Sequence, residues 1–155
     1  MIAKRTYDEA FSDARIAVLT LYNLAQICET KGLNKLSSEY VDEAFKQAVK
    51  LAKYEHISRI NDKAFLVLYS IGLANKNGIT SSSEIYKKFF TQVYSRVYGN
   101  VLSERQFRRY VSYLNSFNLV NIYKKRKGAV TAFELECNVD WKLLEEEYGK
   151  RFEEK

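Results

Sequence analysis

Residues 103–136 read SERQFRRYVSYLNSFNLVNIYKKRKGAVTAFELE, and the fold turns on how this stretch is parsed. From Ser103 the helical period places Phe107, Tyr110, Val111 and Leu114 on one stripe, which predicts an amphipathic helix with that stripe facing a core. Ser103 and Gln106 have the spacing of a capping box, in which a hydroxyl and an amide satisfy backbone N–H groups that the first turn leaves unpaired. Arg105, Arg109, Ser112 and Ser116 then face outward, with Arg108 on the flank.

Val120 to Lys124 and Ala129 to Glu136 carry the β-branched and aromatic content of strands, and Gly128 suits a tight turn between them. The four consecutive cations Lys124, Lys125, Arg126 and Lys127 are expected at the tip of that hairpin. An arginine-bearing helix followed by a basic hairpin is the order of a winged helix, whose helix and wing suit two adjacent grooves of one DNA duplex. Arg105 and Arg109 are the candidates for base edges, because a guanidinium can donate two hydrogen bonds to guanine O6 and N7. Arg108, Ser112 and Ser116 suit phosphates or bases, and Lys124 to Lys127 suit phosphates or a narrow minor groove. A solvated helix face and a hairpin tip made lysine-rich for solubility are the plainer readings of the same residues.

Charge distribution bears on that choice. The formal net charge of the chain is +6. Residues 1–55 carry eight basic and eight acidic side chains, residues 56–139 thirteen and five, and residues 140–155 four and six. The positive excess therefore coincides with the helix and hairpin, as an anionic partner would require and solubility would not. If about five phosphates are engaged, log affinity falls with log salt at a slope of about −4 to −5.

The remaining sequence predicts a mainly α chain. Ser12 caps a helix running to about Lys31 with Gly32 as its stop, and Ala14, Val18, Leu21, Ala25 and Cys28 form its apolar face. A second helix opens near Ser38, with Tyr40, Val41, Ala44, Phe45, Ala48 and Val49 inward and Glu39, Asp42 and Glu43 near its positive end. Ile60 to about Lys76 is apolar on nearly every side, as expected of a central core helix. Ser81 and Glu84 read as a further capping box, opening a helix through Tyr98 with the stripe Ile85, Phe89, Val93 and Val97, ended by Gly99. After the hairpin, Trp141, Leu143 and Leu144 anchor a short acidic helix. Residues 1–55 thus form a small helical subdomain, and residues 56–155 a winged-helix domain with a C-terminal helix.

Other classes of function find little support. One histidine, His56, does not provide for a His-based metal site or a Ser-His-Asp triad, and it is expected at the surface or in a linker. The two cysteines, Cys28 and Cys137, fit reduced buried thiols. No apolar run approaches the length of a membrane span. No G-x-x-x-x-G-K-[ST] phosphate loop occurs in these residues, so the chain is not expected to be an enzyme by itself.

Three segments carry a family resemblance: SDARIAV at residues 12–18, KLSSEYVDEAF at 35–45 and RRYVSYLNSFNLVNIY at 108–123. Together they resemble the C-terminal part of the archaeal origin-recognition and cell-division-control initiators, AAA+ ATPases with a helical lid bearing a Gly-Asp-Ala-Arg motif and a winged helix after it. Ser12 stands where that motif has glycine. The resemblance implies a lid subdomain followed by a winged helix and duplex DNA binding at replication origins. It also implies a nucleotide-sensing role for Arg15 alongside an ATPase domain. ATP, ADP and Mg would then belong to a full-length protein, these residues being a fragment or natural truncation. Its implied partners are origin DNA, the replicative helicase and other initiator copies, with no membrane, in the cytoplasm near the nucleoid. A winged-helix transcription regulator and a helicase-docking module, the latter through Tyr113, Tyr123 and Glu145 to Glu147, remain alternatives.

Overall fold

The structure, a computed structural model, describes residue 2 and residues 14–32, 37–127 and 130–153, the side chains of Lys127 and Val130 excepted. The described residues are mainly helical, with one two-stranded antiparallel sheet. The chain divides into two compact units, Met1–Ile57 and Ser58–Lys155.

Unit 1 holds α1 (Ala14–Lys31) and most of α2 (Ser38–Arg59). Its core is built from Ile16, Phe45, Ala48 and Ala52 at one level and Leu24, Ile27, Val41 and Ala44 at another. The inward face expected for α2 is the one buried, with Tyr40 and Val49 half-covered at its margins. For α1 the expected face was wrong. Ile16, Thr20, Asn23, Leu24 and Ile27 turn inward, whereas Val18 is 66% and Leu21 57% exposed.

Two apolar stripes compete on α1, and the buried one tolerates polar members because each finds a carbonyl. Thr20 Oγ1 donates to Ile16 O at 2.6 Å and Asn23 Nδ2 to Ala44 O at 3.4 Å. Gly32 ends the helix with a φ of +61°, in the left-handed region where glycine has no Cβ penalty. The expected cap at Ser12 lies outside the described residues. Neither cysteine is in a disulfide, and both are half-buried rather than fully enclosed. His56 is half-buried within α2 and is not a linker residue.

Unit 2 is organised around α3 (Asp62–Lys76), whose Phe65, Leu66, Val67, Leu68 and Ile71 are fully buried. The helix starts at Asp62, because the Asn61 side chain caps it by accepting from Ala64 N at 2.9 Å. The next helical stretch comprises α4 (Ser82–Glu84), a π-helical turn at Ile85–Phe90 and α5 (Thr91–Tyr98), closed by Gly99 at φ +70°.

Two expectations fail in that stretch. The Ser81 side chain makes no cap hydrogen bond; its backbone instead bridges to Glu134, while Glu84 pairs with Lys88. In the π-turn the Thr91 N–H reaches back five residues to Tyr86 O. That extra residue advances the inward stripe, so Phe90 and Tyr94 occupy the core beside Ile85 and Val93, and Phe89 and Val97 are left half-covered.

Then come α6 (Glu104–Ser116), β1 (Val120–Lys127), β2 (Val130–Cys137), α7 (Trp141–Tyr148) and a π-helical end at Gly149–Glu153. Asn118 turns the chain from α6 toward β1 at φ 55°, a conformation asparagine tolerates better than most residues. Gly72 lets α7 close onto α3: a Cβ there would lie 2.6 Å from Leu144 Cδ1.

The C-terminal segment is held by Arg151, whose side chain is only 12% exposed. Its guanidinium donates to Glu147 Oε1 at 2.7 Å, Ile60 O at 2.9 Å and Asp62 Oδ1 at 3.1 Å, and lies 4.7 Å from the Phe65 ring centroid. Glu147 is therefore a buried structural carboxylate, not part of an exposed acidic contact surface.

Candidate nucleic-acid interface

The capping box expected for α6 is present in both directions. Gln106 N donates to Ser103 Oγ at 3.3 Å and Ser103 N to Gln106 Oε1 at 3.2 Å. Phe107, Val111 and Leu114 are buried and Tyr110 is half-buried, which turns Arg105, Arg108, Arg109, Ser112 and Ser116 outward. Arg105, Arg108, Arg109 and Ser112 line an open concavity of about 420 Å³ together with Glu104.

Within this group the structure separates two kinds of residue. Arg108 Nη2 is paired with Glu104 Oε1 at 2.6 Å. Arg105 and Arg109 have no acidic partner among the described residues. The Ser112 hydroxyl donates to Arg108 O at 3.1 Å and the Ser116 hydroxyl to Tyr113 O at 2.7 Å, so both spend their hydrogens on the helix backbone.

The hairpin differs from expectation more consequentially. All four cations belong to β1 itself, not to a turn, and strand geometry sends successive side chains to opposite faces. The register pairs Ile122 with Leu135, Lys124 with Phe133 and Arg126 with Thr131. Lys124 and Arg126 therefore share a face with Phe133 and with Ile122 and Leu135 at the core end. Tyr123 and Lys125 take the other face, where Lys125 Nζ is 2.8 Å from Glu134 Oε1.

Lys124 and Arg126 have no carboxylate partner among the described residues. Gly128 and the Lys127 side chain lie outside them.

Asn75, which the sequence did not single out, fixes this hairpin to α3. Its Nδ2 donates to Leu135 O at 3.0 Å, and its Oδ1 accepts from Cys137 N at 2.7 Å. Leu135 N donates to Thr80 O at 2.8 Å on the same edge of β2, away from β1. At the hairpin base Asn138 Nδ2 donates to Asn118 O at 3.3 Å and Asn121 Oδ1 at 2.8 Å, linking the end of α6 to both strands. The placement of the cations thus rests on half-buried amides as well as on core packing.

In unit 1, Arg15 lies in the first turn of α1 and its Nη2 donates to His56 Nε2 at 2.9 Å. Ser12 and Asp13 lie outside the described residues. Among the described residues no group of three His, Cys, Asp or Glu is placed to hold a metal ion, and no helix is long and apolar enough to cross a membrane.

No protein-family model matches the chain, and no curated protein matches it in sequence. Solved structures do. The ORC1 protein of Aeropyrum pernix, in complex with DNA, is similar over 90% of this chain, with a TM-score of 0.74 and 22% identity. The present chain spans 37% of the length of that one. Drosophila ORC bound to DNA matches over 90% at a TM-score of 0.49 and 17% identity, and the Aeropyrum pernix ORC2 protein over 86% at 0.46 and 17%. The Aeropyrum pernix ORC1 protein thus shares the fold of this chain: a helical subdomain followed by a winged helix.

Proposed function

We propose that unit 2 binds duplex DNA as part of a replication initiator, with α6 in the major groove and the hairpin in the adjacent minor groove. The observation that carries this reading is the common character of Arg105, Arg109, Lys124 and Arg126. All four are exposed and have no carboxylate partner among the described residues, on the two elements a winged helix presents to DNA, while other exposed cations nearby are neutralised by Glu104 and Glu134. The fold shared with a DNA-bound ORC1 protein supports the initiator assignment. Arg105 and Arg109 read base edges; Lys124 and Arg126 supply salt-sensitive affinity.

ATP, ADP and magnesium enter this function only for a longer chain with a phosphate-binding loop, in which Arg15 would sense nucleotide. The guanidinium of Arg15 is exposed, which fits such a role, and its bond to His56 would yield to a phosphate. A longer chain would also engage other initiator copies and a helicase. Tyr113 and Tyr123, 40% and 48% exposed, are available for such contacts.

Fluorescence anisotropy with origin-derived and scrambled duplexes across a salt series tests the central claim. Arg105→Ala with Arg109→Ala is expected to weaken binding and erase the preference for the origin duplex. Equal affinity of the unmodified chain for both duplexes would remove sequence-preferring recognition, and no association with either would remove DNA binding altogether.

A further inference from the structure

Between α6 and the hairpin runs a groove of about 200 Å³ that differs from the charged surfaces around it. Val111, Ile122, Phe133 and Leu135 supply its apolar lining, with the Ser82 and Ser112 side chains and Arg108 also bordering it. Phe133 is 38% exposed, and it stands directly across the ladder from Lys124 with Arg126 two residues along the same face. On the α6 side the groove adjoins the concavity of Arg105 and Arg109, since Arg108 and Ser112 border both. An apolar channel with cations on both flanks matches a ligand that alternates apolar rings with negative charge.

The geometry points to this groove as the seat of one deoxyribose–phosphate strand of the duplex, with Phe133 as its principal apolar contact. The inference rests on the DNA-binding reading above and goes further by naming what lies between the two reading elements. Major and minor grooves are separated by a single sugar–phosphate strand, so a helix in one and a hairpin in the other must straddle that strand. Phe133 and Ile122 cover the carbon-rich faces of the sugars, and Lys124 and Arg126 meet the phosphates beside them.

The Ser82 hydroxyl makes no hydrogen bond among the described residues and is placed to donate to a phosphate oxygen. Phe133 would supply affinity without displacing counterions, which separates it experimentally from the lysine and arginine contacts.

The test compares the unmodified chain with Phe133→Ala, Phe133→Leu and Lys124→Ala/Arg126→Ala by anisotropy on one duplex over a salt series. Covering the exposed part of the ring predicts that Phe133→Ala binds about five- to twentyfold more weakly at every salt concentration, with the salt slope of the unmodified chain. Phe133→Leu, which keeps most of the apolar area, should stay within about threefold. Hydroxyl-radical footprinting of the unmodified chain should show a protected run of sugars on the strand between the two contacted grooves, independently of how any variant folds.

Unchanged affinity in Phe133→Ala overturns the proposal. So does a slope lowered as in the double variant, or a footprint without that protected run; in each case DNA binding itself still stands. A chain that binds no duplex overturns both readings together.

Discussion

Removing Lys124 and Arg126 should change how salt acts on DNA binding far more than removing Lys125, although the three are consecutive in sequence. The four exposed cations of α6 and β1 that have no carboxylate partner among the described residues, Arg105, Arg109, Lys124 and Arg126, bring to the duplex a charge equivalent to about four neutralised phosphates, for a slope of log affinity against log salt of about −3.6. Lys124→Ala/Arg126→Ala halves that number and takes the slope to about −1.8. Between about 50 and 200 mM salt the unmodified chain then loses affinity by about 150-fold and the double variant by about 12-fold.

Lys125 is on the other face and already paired with Glu134, so Lys125→Ala should move the slope by less than about 0.5. Anisotropy titrations at four or five salt concentrations measure all three slopes. A Lys125→Ala slope as shallow as that of the double variant would refute the division of the hairpin into two faces. An unchanged slope in the double variant would refute the phosphate role of the cationic face.

Arg151→Ala should lower the stability of unit 2 by about 3–5 kcal/mol, because it leaves the Glu147 carboxylate buried without its cation. The single tryptophan, Trp141, lies in unit 2 and reports this in denaturant titrations; a loss below 1 kcal/mol would mean that Glu147 finds another partner or water. Gly72→Ala should destabilise the same unit by about 1–2 kcal/mol, as the overpacking cost at Leu144 exceeds the gain in helix propensity, and a raised denaturation midpoint would contradict that balance. Burial pushes the phenols of Tyr69 and Tyr94 above the ordinary tyrosine value, aided by the neighbouring Tyr148 and Tyr98 respectively. The folded chain therefore holds more protons than the unfolded one above about pH 10, and stability should fall as pH rises from there through the folded-state values. Ultraviolet absorbance of phenolate should show these groups ionising after the exposed tyrosines.

The α6 segment was legible in the sequence because several independent signals coincide there: a capping box, a single apolar stripe and an uninterrupted outward face. Where two signals competed, periodicity misled. In α1 the stripe through Val18 and Leu21 is as apolar as the one through Ile16, Leu24 and Ile27, and only the packing of the latter against α2, with Asn23 bonded to Ala44 O, reveals which faces inward.

The consecutive run of cations at residues 124–127 is plain in the sequence, but their sorting required the strand register. Alternation of Thr131, Phe133 and Leu135 in β2 is the sequence signal that could have supplied it. Asn75 and Arg151 were invisible because their partners, such as Cys137 and Ile60, are 62 and 91 residues away along the chain. A long-range hydrogen bond leaves no local pattern.

The π-turn at Ile85–Phe90 has a consequence best put in genetic terms. Each residue of an α-helix turns the chain by about 100°, so losing one codon within that turn would restore ordinary helical winding while swinging everything before it through nearly a third of a revolution. Ser82, which borders the groove, and Ser81, which bridges to the hairpin, would both lose their places although neither had been altered. An in-frame deletion at Lys87 or Lys88, two exposed lysines with no role in the core, would thus act on the interface as a change of phase rather than a loss of side chain.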